Sequence, residues 1–212
     1  VHSVIAEFTN ENGLVPGASP RSGLTVTSDD RIWGTTSAGG AGQRGLIFTL
    51  SNGALFTKIA SFTTALGWHP SGAPISDRNG NLIFPIAKGG VSGAGAIDRI
   101  STNGTLNALL PLGGDLGENP VGALLDTGTE FFGISQNGSA SGRGGIFKFT
   151  NDSDASLFSA FTSTAGESIQ GPLLKSSNGK LYGVSRKGGF ANQGSVFTVD
   201  EAGTLSRAFS FT

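Results

Sequence analysis

The chain has 212 residues, 35 of them glycine and 15 phenylalanine, with no cysteine, no methionine and a formal charge of −1. Glycine without a Gly-X-Y period excludes collagen, and its alternation with Leu, Ile, Val and Phe excludes a disordered polar tract. So balanced a charge supplies no field to draw nucleic acid, no apolar run reaches the ~20 residues of a membrane helix, and the missing cysteines exclude disulfides and thiolate metal sites.

Val1 to Thr9 reads as a β-strand, because its Ile5-Ala-Glu-Phe8 is echoed by Ile59-Ala-Ser-Phe62, by Phe158-Ser-Ala-Phe161 and by Ala208-Phe-Ser-Phe211. After a Gly- and Pro-rich linker, Asn10 to Ser19, come Pro20 to Thr27 as a short strand, Asp29-Asp30 as a turn, Ile32 to Thr36 as a second strand, and a Gly-rich loop. Leu46 to Leu50 then forms a third strand, Asn52-Gly53 a turn and Leu55 to Phe62 a fourth. Asn-Gly and Asp-rich turns suit tight hairpins because they accept positive φ at little cost.

The same order returns over Pro70 to Leu112, Pro120 to Phe161 and Gln170 to Thr212. The first loop glycines, Gly39, Gly89, Gly138 and Gly188, recur at about fifty residues. Four short strands per unit, without helical periodicity, is the pattern of a β-propeller blade, whereas a sandwich has no reason to repeat its sequence. The predicted architecture is a single all-β domain of four four-stranded blades, units 20–69, 70–119, 120–169 and 170–212, with residues 1–9 as an extra outer strand. That surplus strand implies either a further blade in a longer chain or addition to the sheet edge of a neighbouring copy, which would make a homo-oligomer.

These residues resemble the GloVer repeats, secreted bacterial tandem repeats of this length. Their pattern stands here as Ser177-Asn-Gly-Lys-Leu-Tyr-Gly183, Gly188-Gly189, Gly194-Ser-Val-Phe197 and Ser210-Phe211, and as Trp33-Gly-Thr-Thr36 with Ser61-Phe62. The second unit departs most, with Ile83-Phe-Pro-Ile86 for the Tyr-Gly-Thr-Thr run and Asp98 where Phe48, Phe147 and Phe197 stand. The resemblance implies a secreted, propeller-like protein and carries no catalytic motif. A missing initiator methionine agrees with removal of a signal peptide.

Alternating strand direction puts the Gly loops and the inter-unit linkers on one rim. Trp68, His69, Arg44, Arg143 and Gln193 fall there, an aromatic ring with cationic and amide groups, which suits a glycan or cell-surface ligand. A merely solvated rim is the alternative. Gly40-Ala-Gly-Gln-Arg-Gly45 matches a dinucleotide fingerprint but lies between two strands with no following helix, so it reads as a hairpin loop. Asp77-Arg-Asn-Gly-Asn81 and Asp152-Ser-Asp154 resemble parts of calcium loops without the later bidentate carboxylate, and read as turns. With His2 and His69 the only histidines, no metal site, cofactor or catalytic triad is expected. Carboxylate pairs such as Asp115 with Glu118 have the chemistry a glycosidase needs, since acid and base require only the right spacing across a sugar, but their density here is ordinary for a linker. The expectation is thus a secreted, non-catalytic binding module, with self-assembly and polysaccharide cleavage as alternatives.

Overall fold

A computed structural model describes residues 2–9, 15–51 and 55–212, so the predicted Asn52-Gly53 turn lies outside the described residues. The described structure is all β apart from two short 3-10 turns, at Ala41–Gln43 and Gly114–Leu116. It divides into two compact units, 1–109 and 110–212.

The first unit holds two antiparallel sheets. Sheet 1 comprises β1 (Ala18–Pro20), β2 (Thr25–Val26), β3 (Ile32–Ala38), β4 (Leu46–Ser51) and β5 (Leu55–Ser61). Sheet 2 comprises β6 (Trp68–Pro70), β7 (Ile75–Ser76), β8 (Leu82–Lys88), β9 (Ala96–Ile100) and β10 (Leu106–Pro111). The second unit holds sheet 3, with β11 (Glu118–Asp126), β12 (Phe131–Asn137), β13 (Gly145–Phe149) and β14 (Ala155–Ala160), and sheet 4, with β15 (Glu167–Lys175), β16 (Leu181–Lys187), β17 (Ser195–Val199) and β18 (Leu205–Ser210). Each sheet runs in chain order, as hairpin-connected strands do. In sheets 3 and 4 the first strand is continuous and shifts register after Val121 and after Gln170, where Gly122 and Gly171 take φ of 72° and 80°. In sheets 1 and 2 it is broken into two pieces.

Three of the sheets build their centres in one way. Gly34 pairs with Phe48, Gly133 with Phe147 and Gly183 with Phe197, and the phenylalanine ring covers the bare glycine so closely that a Cβ there would strike it. The next apolar layer is the neighbouring sheet. Phe132, Ile134 and Ile146 of sheet 3 are buried with Leu173, Leu181, Phe197 and Val199 of sheet 4, and Trp33 and Ile47 of sheet 1 with Leu82, Phe84, Ile86 and Ile100 of sheet 2. A phenylalanine just past a sheet's last strand closes each of these junctions edge-on. Phe161 meets Phe197 at 5.4 Å and 65°, and Phe62 meets Phe84 at 6.0 Å and 66°.

Residues 2–9 do not form the expected strand. Phe8 instead lies on sheet 1, 5.2 Å from the Phe48 ring at 64°, where ring burial replaces a backbone ladder. The segment thus lays Phe8 on the apolar face that Phe48 and Leu50 present, and the extra outer strand is corrected to a strap.

Candidate functional site

The Gly loops form as hairpin connections. In the first, the Gly45 N–H donates to the Gly39 carbonyl at 2.9 Å, and Gly39, Gly40, Gly42 and Gly45 all have positive φ, so the fingerprint glycines serve the turn. A buried hydroxyl ties the loop base: the N–H of Leu46, Gly145 and Ser195 donates to Thr36 Oγ1, Ser135 Oγ and Ser185 Oγ at 3.2, 3.1 and 2.9 Å. The corner entering each sheet packs against that loop: a Cβ on Gly67 would meet the Lys88 carbonyl, and one on Gly117 the Asn137 carbonyl. Loops and corners therefore share a rim. Ser19, His69, Asn119 and Ser168, at one repeated corner position, all hold left-handed φ between 51° and 61°. Such conformations persist only where surrounding contacts impose them.

In the first unit this rim gathers Arg44, Trp68 and His69. The Arg44 guanidinium sits 5.1 Å from the Trp68 ring centroid, within cation–π reach, and donates through Nη1 to the Gly42 carbonyl at 3.0 Å. Gly89 backs the same ring so tightly that a Cβ there would collide with it, so Trp68 is half-buried between a loop and a cation and not a free platform. Lys88 is its cross-strand partner. His69 is exposed, and its imidazole is held below its ordinary pKa first by partial burial and then by the charges of Lys88 and Arg21. No carboxylate pairs with Arg21, Arg44 or Lys88 among the described residues. The result is a patch in which Arg44 lies over the indole and Lys88 and Arg21 stand near the histidine.

Arg143 and Gln193 stand in the second unit, on the loops of sheets 3 and 4. Arg143 pairs with Glu167 at 3.0 Å, and Gln193 is exposed. Arg143 and Glu167 occupy the repeat positions of Arg44 and Trp68, so one loop arginine reaches the first strand residue of the next sheet in both units, meeting an acid in one and an indole in the other.

Sequence reasoning missed two features. At the opposite, turn-bearing rim, each unit has a shallow notch between its sheets. One of about 210 Å³ is lined by Asp29, Arg31, Trp33 and Leu82, and one of about 180 Å³ by Glu130, Phe132, Lys148 and Leu181. A charged pair already occupies one wall of each, Arg31 with Asp29 at 2.6 Å on sheet 1 and Lys148 with Glu130 at 2.7 Å on sheet 3. Second, Asp98 is fully buried with neither carboxylate oxygen hydrogen-bonded, and burial pushes its pKa up to about 8. Its substitution for phenylalanine was legible, but its isolation was not. By contrast, Asp77 accepts from the N–H groups of Asn79 and Asn81 and pairs with Arg99 at 3.1 Å, so its carboxylate is committed to a turn, as read. No group of three or more His, Cys, Asp or Glu residues placed to hold a metal occurs among the described residues.

Solved structures share this architecture. The gluconolactonase XC5397 from Xanthomonas campestris superimposes with a TM-score of 0.59 at 15% identity, over 88% of this chain and 61% of that one. The extracellular domain of BT4673 from B. thetaiotaomicron gives 0.58 at 9%, over 88% and 24%, and the Bacteroides ovatus xyloglucan PUL GH43B gives 0.50 at 16%, over 93% and 45%. The chain spans about three fifths of the length of the first and less of the others. At such identities the likeness is one of fold, an all-β, propeller-type array of blades. No curated protein matches. The model of the Gloeobacter/Verrucomicrobia repeat matches residues 20–212.

Proposed function

This chain belongs to the Gloeobacter/Verrucomicrobia repeat family, and from that premise we propose that it is a non-catalytic, secreted binding module whose loop rim takes an acidic glycan. The observation that carries this reading is the patch around Trp68 in the first unit: Arg44 over the indole, Lys88 across the strand, and His69 and Arg21 beside it, with no carboxylate paired to these cations among the described residues. Guanidinium and ammonium groups recognise sugar carboxylates or sulfates, and the part of the indole left open adds apolar contact beside them. Arg143, engaged by Glu167, is less available, and Gln193 lies on another loop, so both are secondary to Trp68, Arg44 and His69.

Polysaccharide cleavage has less support, because the charged groups acting on His69 are Lys88 and Arg21 and not carboxylates. Assembly by strand addition through residues 1–9 has less as well, since residues 2–9 form no strand to add. The test is binding to polygalacturonate and alginate, with dextran as the neutral control. Binding to the acidic polymers that weakens with salt and is lost in Arg44→Ala and Lys88→Ala is the expected result. Equal binding to dextran, or binding unchanged in both variants, overturns the reading.

A further inference from the structure

Inside each unit one sheet offers an apolar face and the next sheet covers it. On sheet 3 that face is Phe132, Ile134 and Ile146, at 7%, 2% and 0% exposure. The same repeat positions on sheet 4 are Tyr182, Val184 and Val196, and there Val184 is 48% exposed and Tyr182 and Val196 are only half-buried. Around them Leu174 is 67%, Phe209 57% and Phe211 47% exposed. Phe211 is set like the junction-closing rings: its N–H donates to the Gly194 carbonyl at 3.1 Å, as that of Phe161 does to Gly144 at 3.1 Å and that of Phe62 to Gly45 at 3.0 Å. Sheet 4 therefore carries a sheet-stacking face that no other sheet covers among the described residues, and exposed apolar surface of this kind marks an interaction site.

What fits such a face is the covering side of a sheet of this same repeat. Sheet 1 has that side partly bare. Leu24 stands at the position of Leu173, which is 6% exposed under sheet 3, yet Leu24 is 60% exposed and Pro20 beside it is exposed too. The slot for the closing ring on Phe48 is filled by the chain's own Phe8, in the edge-on geometry that Phe161 has on Phe197. We infer that the sheet 4 face of one molecule docks the sheet 1 face of a second copy, repeating between chains the junction each chain builds within its units, with Phe211 of one copy and Phe8 of the other competing for the ring slot on Phe48. The contact is heterologous, so it propagates head to tail, and the strap of residues 2–9 restrains it.

Sedimentation velocity across the micromolar range tests this. The wild type associates with concentration. Val184→Glu with Leu174→Glu, on one face, and Leu24→Glu, on the other, each abolish association, and because these side chains are exposed the variants keep the wild-type melting curve. Mixing the two variants restores a dimer and nothing larger, since one supplies an intact sheet 1 face and the other an intact sheet 4 face. Phe8→Ala, which empties the slot, tightens association about tenfold. A wild type that stays monomeric, a mixture that does not dimerise, or a Phe8→Ala variant that associates no better than wild type overturns the inference.

Discussion

Asp98 departs furthest from the repeat at the level of one side chain. It faces Phe84 across the strand pair, whereas the other three sheets set phenylalanine on the third strand against glycine on the second. Ring and partner have changed places: Phe84 reaches Phe62 from the glycine's strand. The acid left there keeps its proton to about pH 8 when folded, against about 3.9 for an unfolded aspartate, because burial penalises the anion. Between those values the unfolded chain has released a proton that the native chain still holds, so stability falls as pH rises through the window, by an amount on the order of 5 kcal/mol over its whole width. Asp98→Asn removes the titration. Urea denaturation between pH 4 and 8 is expected to show the variant gaining on the wild type as pH rises, and parallel profiles would count against it.

Among the elements, the hairpins were legible before any coordinates because turn glycines and alternating apolar residues recur at a constant interval. The first strand of every sheet starts two or three residues ahead of the expected unit starts 20, 70, 120 and 170, at Ala18, Trp68, Glu118 and Glu167. The break in the first strand was not legible. Gly122 and Gly171 let β11 and β15 absorb an extra residue as a bulge, while Pro74, which lacks an N–H, stands just before β7. Two-residue strands hold few ladder bonds, so the amides of β2 and β7 are expected to exchange hydrogen faster than those of β11 and β15, measurable by native-state exchange. The opening segment was misread because Ile5-Ala-Glu-Phe8 carries the ring of a last strand. Its phenylalanine takes the ring slot on Phe48 while its backbone pairs with no strand. At the rim, the linker-and-loop argument put Arg44, Trp68, His69, Arg143 and Gln193 on one edge without distinguishing among them, and it missed that the indole is already held by Gly89 and Arg44, a matter of packing depth that residue order does not encode.

For the molecule as a whole, four near-copies in one chain invite the wrong hairpins to pair while folding. The transposed Phe84 and Asp98 act against this. If β8 paired with β4 or β13, Phe84 would meet Phe48 or Phe147, two rings contending for one ring's volume. If β9 paired with β3 or β12, Asp98 would lie over a bare glycine with no ring above it. Restoring the common arrangement with Phe84→Gly and Asp98→Phe together is therefore expected to raise equilibrium stability, since the lone buried acid is gone, while lowering the refolded yield after dilution from urea. A yield equal to the wild type's would show that mispairing does not limit folding. The second hairpin works like a key cut differently from its neighbours: by refusing every strand but its own, it numbers the copies and lets a monotonous chain count to four.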